Sequence, residues 1–105
     1  MSSEHAPLVT SDWVLAEFLN SIARDSDLRG AGARIVERLH LSSRVVVVEA
    51  TREGWRAAFD LYRSRADKGC SLVDCSSILI CQSRGIRRVF TRDGHFEQAG
   101  LEPTL

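Results

Sequence analysis

"SLVDCSSILICQSRGIRRVFTRDGHF", Ser71 to Phe96, decides how the rest of the chain is read. Its first part predicts a helix over Ser71 to Ser83. Leu72, Val73, Cys75, Ile78, Leu79, Ile80 and Cys81 occupy nearly the whole helical circumference, and a helix apolar all round is buried. Gly85 supplies a stop just past the helix end. Ile86 to Thr91 then reads as a short strand. Two acids stand out against this background. Asp74 sits among the apolar residues of the helix, and Asp93 follows the strand at once. An ionised carboxylate in such surroundings is costly unless it is paired or bound to a metal.

The elements upstream give the helix and strand their setting. Val45-Val46-Val47-Val48 shows no alternation, which suits a strand buried on both faces of a parallel sheet. Thr51 caps a long helix running to about Arg65. Trp55, Ala58, Phe59 and Tyr62 supply its i, i+3, i+4, i+7 anchors. Earlier still, Leu8-Val9-Thr10 is a short β-prone piece after Pro7, and Ser11 or Asp12 can cap the helix that follows. Val14, Leu15, Phe18, Leu19 and Ile22 form the stripe of that helix. A second helix fits Leu28 to His40, with Gly30 and Gly32 weakening its start. Asp67-Lys68-Gly69 breaks the chain before Ser71. After Asp93, His95 to Ala99 predicts one more turn, and Leu101 to Leu105 a last edge strand. Strand, two helices, strand, two helices, strand is an α/β order with a mainly parallel sheet, predicted as three layers, α/β/α.

A length of 105 residues suits one small domain, taken as residues 1–105. The 14 basic and 14 acidic residues cancel, so the composition gives no polycationic signal, and any nucleic-acid surface has to be local. No apolar run reaches membrane-spanning length. The N-terminus lacks a basic region followed by an apolar stretch. A cytoplasmic protein that does not engage a membrane is expected. The 3 cysteines, Cys70, Cys75 and Cys81, match no zinc spacing and read as buried free thiols in a reducing compartment.

Each acid has a bland reading and a chemical one. Ser71-x-x-Asp74 has the form of a capping box, and an acid in a first turn favours the helix dipole. Arg92-Asp93-Gly94 is a turn sequence. Glu17 lies at the border of its helix's apolar stripe, about 60° around from Val14, where a surface glutamate is the default. Against this, open α/β sheets place ligands beyond the C-terminal ends of their strands, the edge at which following helices begin. Asp74, Asp93 and Glu17 are therefore expected to converge there. Convergent carboxylates suit Mg²⁺ or Mn²⁺, and such ions clamp phosphodiesters and activate water.

At this point the chain resembles a known family. "VTSDWVLAEFLN", "RADKGCSLVDCSSILICQSRGIRRVFTRDGHFEQAG" and the helices between them are similar to PIN-domain proteins, in particular the VapC-like toxins of bacteria and archaea. The resemblance covers nearly the whole chain. It implies a metal-dependent endoribonuclease, with RNA as substrate and a cognate antitoxin protein as partner. Carried over residue by residue, it makes Glu17, Asp74 and Asp93 the catalytic and metal-holding acids, with Mg²⁺ or Mn²⁺ as cofactor. Thr91 matches the family's hydroxyl residue on the last core strand. Asp67 matches an acid before the buried helix, structural rather than catalytic. Arg88 and Arg92, with Arg84 and Arg87, lie near the proposed edge, where they contact phosphates or form a solvated face. His95 caps or packs.

The resemblance has one departure. PIN domains open with a strand that bears a metal-binding aspartate, and then a helix. Here neither is read before Leu8. The expectation is thus an N-terminally truncated PIN-like domain, with one of four site acids lost and activity impaired to that extent. The alternative is a non-catalytic module acting through protein binding or self-association. Loss of a central strand exposes sheet edges, so a homodimer is expected.

Overall fold

The computed structural model of the chain describes residues 7–65, 69–89 and 101–103. Their order is β1 (Leu8–Ser11), α1 (Asp12–Ser21), α2 (Ser26–Leu41), β2 (Val45–Val48), α3 (Arg52–Ser64), α4 (Leu72–Arg84), β3 (Arg88–Val89) and β4 (Glu102–Pro103). The α/β order expected from the sequence is present, and both strand pairings are parallel. The chain divides into two compact units, one ending at Ala50 and one beginning at Thr51. The turn expected at His95 to Ala99 lies outside the described residues, as does Asp67.

In the first unit, β1 pairs with β2 from Leu8↔Val45 to Ser11↔Val48. Parallel strands need a crossover, and α1 and α2 supply it. Ser11 ends β1 and caps α1, its Oγ accepting the Val14 N–H at 3.2 Å. Asp25 caps α2, its carboxylate accepting the N–H groups of Asp27 and Leu28, each at 3.0 Å. Each cap satisfies donors that the first helical turn leaves unpaired. Leu15 is the buried residue of α1, and Gly32 that of α2. Gly32 thus marks a close approach of two helices as well as a weak helix former. A Cβ there would overlap Ile22 Cδ1 and lie 3.4 Å from Leu19 Cδ2.

Val45 to Val48 depart from expectation. All four are half-buried, not covered on both faces. Among the described residues β2 has one ladder partner, β1, so a single edge and its helices give the valines only partial cover.

The second unit holds the larger core. Ala58, Cys70, Cys75, Ile78, Cys81 and Leu101 are buried together, with Leu61, Leu72, Leu79, Ile86 and Val89 packed around them. α4 is the central element, as its apolar circumference predicts. No residue from Leu72 to Cys81 is exposed. Gly85 ends it in the left-handed region, φ 67°, where a side chain would be strained, and the Ile86 N–H closes back on Cys81 O at 2.8 Å.

α3 is rotated from the predicted orientation. Ala58 is fully buried and Phe59 half-buried, but Trp55 is 38% exposed and Tyr62 49%. The core side of α3 is the narrow strip at Ala58 and Leu61. Packing on a helix as thoroughly buried as α4 favours a small residue at the contact, so the aromatics stand aside.

Candidate active site

Asp74 is held in a cap at the start of α4. It is the third residue of α4 and half-buried. Its N–H donates to Ser71 Oγ at 3.0 Å, and its Oδ2 accepts the Ser71 N–H at 3.3 Å. The capping box read from the sequence is therefore formed. Among the described residues Oδ1 accepts no hydrogen bond, so the box engages one oxygen and leaves the other. Cys70 and Cys75 flank the box at the positions of a hydrophobic staple, with Sγ···Sγ 3.7 Å. Both are buried free thiols, as expected, and so is Cys81. Burial, then the neighbouring Cys75, pushes the Cys70 thiol up to about 11.

Glu17 lies on α1 and is exposed. It points away from the buried Leu15, two residues earlier, by roughly 200° of helical rotation. Glu17 and Asp74 belong to different units. Asp93, Thr91 and Arg92 lie outside the described residues. Arg88 is in β3 and exposed, while its neighbour Val89 packs on the core, the alternation a strand imposes.

Two acids at strand ends were not singled out from the sequence. Asp12 follows β1 directly, and Glu49 follows β2. The rule that led to Asp93 would have found both. Asp12 has structural work: its Oδ2 accepts the Ala50 N–H at 3.0 Å, and its Oδ1 lies 4.0 Å from His40 Nε2. It ties the ends of β1 and β2 together. Among the described residues no group of three or more His, Cys, Asp or Glu side chains stands ready to hold a metal ion.

A model of the PIN domain matches residues 2–101. The chain belongs to the PIN-domain family. A solved structure of similar fold is that of Mycobacterium tuberculosis VapC20, a toxin that cleaves the sarcin-ricin loop. It is 24% identical, with a TM-score of 0.79, over 97% of this chain and 78% of that one. Among curated proteins none matches. PIN nucleases of this kind generally depend on a divalent metal. Carboxylates such as those of Glu17 and Asp74 are hard oxygen donors of the sort Mg²⁺ and Mn²⁺ take. No helix among the described residues is long and apolar enough to cross a membrane.

Proposed function

We propose that the chain is an endoribonuclease of the VapC-like toxin class, with Glu17, Asp74 and Asp93 as its metal-holding acids. Membership of the PIN family supports the class. The observation that carries the site is Asp74, a half-buried carboxylate in the first turn of a buried helix, with one oxygen outside its capping box. Asp74 Oδ1 and the Glu17 and Asp93 carboxylates would hold Mg²⁺ or Mn²⁺. When bound, the ion supplies an activated water and stabilises the leaving oxygen of a phosphodiester. The capping box fixes the Asp74 rotamer, so the ligand is oriented before anything binds. Thr91, Arg88 and Arg92 would hold the RNA backbone near the scissile phosphate. In this reading the protein works in the cytoplasm, on RNA, under the control of an antitoxin protein.

Asp74→Asn tests the assignment. The amide oxygen still accepts the Ser71 N–H, so the cap and the fold persist, while the charge is gone. Cleavage of RNA in Mn²⁺ should fall by about 10² or more, since losing even a residue that only orients a metal ligand costs about 10–100-fold, with an unchanged circular dichroism spectrum. A variant that cuts as well as the parent would make Asp74 a cap and nothing else.

A further inference from the structure

α3 carries a surface that the cleavage site does not use. Arg52, Arg56, Phe59 and Arg63 recur at i, i+4, i+7 and i+11, one helical face about 16 Å long. The Arg56 and Arg63 side chains are each 63% exposed, and Arg52 is exposed as well. Both guanidiniums lie over the Phe59 ring, 5.8 and 5.4 Å from its centre. Asp60 Oδ1 holds both, 3.4 Å from Arg56 Nε and 3.2 Å from Arg63 Nη2. Trp55 lies parallel to Phe59, 4° between planes and 6.0 Å between centres. Trp55 and Tyr62 edge the face and remain 38% and 49% exposed.

We propose that this face of α3 binds single-stranded RNA, with Arg52, Arg56 and Arg63 on phosphates and the Trp55 and Tyr62 rings stacking on bases. The proposal rests on the ribonuclease reading and adds to it a substrate-binding surface away from the acids. Charge and shape favour this occupant. An apolar protein partner would have to desolvate three guanidiniums as well as the carboxylates of Asp60 and the exposed Glu53 beside them. An acidic protein would answer the cations and leave the aromatic rings without a counterpart. A single strand of RNA offers both phosphates and π-faces, and interleaved arginine and aromatic side chains are how such strands are held. The Asp60 clamp adds preorganisation, because two long side chains are already oriented before RNA arrives.

The test is binding by fluorescence anisotropy of a short labelled oligouridylate to the full chain in EDTA, so that cutting plays no part. The triple variant Arg52→Gln, Arg56→Gln, Arg63→Gln should bind about tenfold more weakly at low salt. Its log–log salt slope should be shallower by roughly 2, at about 0.7 per phosphate contact on a single strand. Trp55→Ala should weaken binding about tenfold with the slope unchanged. If its circular dichroism shows a folding defect, Tyr62→Ala replaces it. A control triple, Arg24→Gln, Arg34→Gln, Arg38→Gln, makes the same charge change at exposed positions elsewhere and should leave affinity within about twofold. The proposal is overturned if the unaltered chain does not bind, if the control triple weakens binding as much, if the folded aromatic variants bind as the parent does, or if polyglutamate competes as well as RNA. A chain that binds through α3 yet cuts no RNA would sink the nuclease reading and leave this surface standing.

Discussion

Cys70 sits one residue before the cap of α4, buried at 5% exposure. Its thiol is raised from an ordinary 9.0 to about 11, first by burial and then by Cys75. Between those values the folded state keeps a proton that the unfolded state has lost. Stability is therefore fully present below about 9 and falls as pH rises toward 11. Urea midpoints measured across that range should decline, and Cys70→Ala should flatten the decline. Some slope should remain from Cys81, whose thiol burial also raises. The residue scale shows what a sequence reveals about a side chain. Ser71 and Asp74 are three apart, so their mutual cap was legible from spacing. Asp12 was legible only as a rival to Ser11 for the cap of α1. Its amide partner is 38 residues away, beyond any local window. Glu17 was legible as an acid bordering an apolar stripe, and it is exposed.

Two glycines of one helix make opposite demands, although the sequence presents them alike. A Cβ at Gly30 would find only Arg34 Nη1, at an ordinary 3.5 Å. Gly30→Ala should stabilise the protein by about 0.5–1 kcal/mol through helix propensity and a less flexible unfolded chain. A Cβ at Gly32 meets Leu19 on α1 and Ile22, which caps the end of that helix. There the same gain is opposed by overpacking of roughly 1–3 kcal/mol, and Gly32→Ala should come out about 1 kcal/mol less stable. Ile22→Val removes the overlapping Cδ1, so thermal melts of the double variant should show a smaller penalty. Elements were read well where caps and stops marked them, as at Thr51, Ser71 and Gly85. Orientation was read less well. In α3 the apolar periodicity follows the large rings, while the buried strip follows Ala58 and Leu61. Hydrophobic size and proximity to the core part company when the neighbour is a closely packed helix.

Across the molecule, sequence order gave the alternation of strands and helices, and with it the parallel pairing. The extent of burial was not legible, because the four valines of β2 do not reveal what covers them. Among the described residues the sheet of the first unit has two strands, so backbone groups along the outer edges of β1 and β2 have no ladder partner there. Edges of this kind recruit further strands, and a second copy about a two-fold axis is the expected source. Sedimentation at micromolar concentration should report a species heavier than the 11.7 kDa chain. A compact species of that mass with one cooperative melt would count against it.

The hydrogen bond from Ala50 to Asp12 has a consequence in time. It joins the ends of two strands whose pairing encloses both helices of the first unit. Contacts so distant along the chain have a loop-closure entropy to overcome, and they form only after α1 and α2 have shortened the path between them. We expect the bond to form on the native side of the folding barrier. Asp12→Ala should therefore leave the refolding rate nearly unchanged and speed unfolding about fivefold, the kinetic equivalent of roughly 1 kcal/mol. Stopped-flow chevrons would show the unfolding limb raised and the folding limb in place. Equal displacement of both limbs would put the strand ends together before the barrier is crossed.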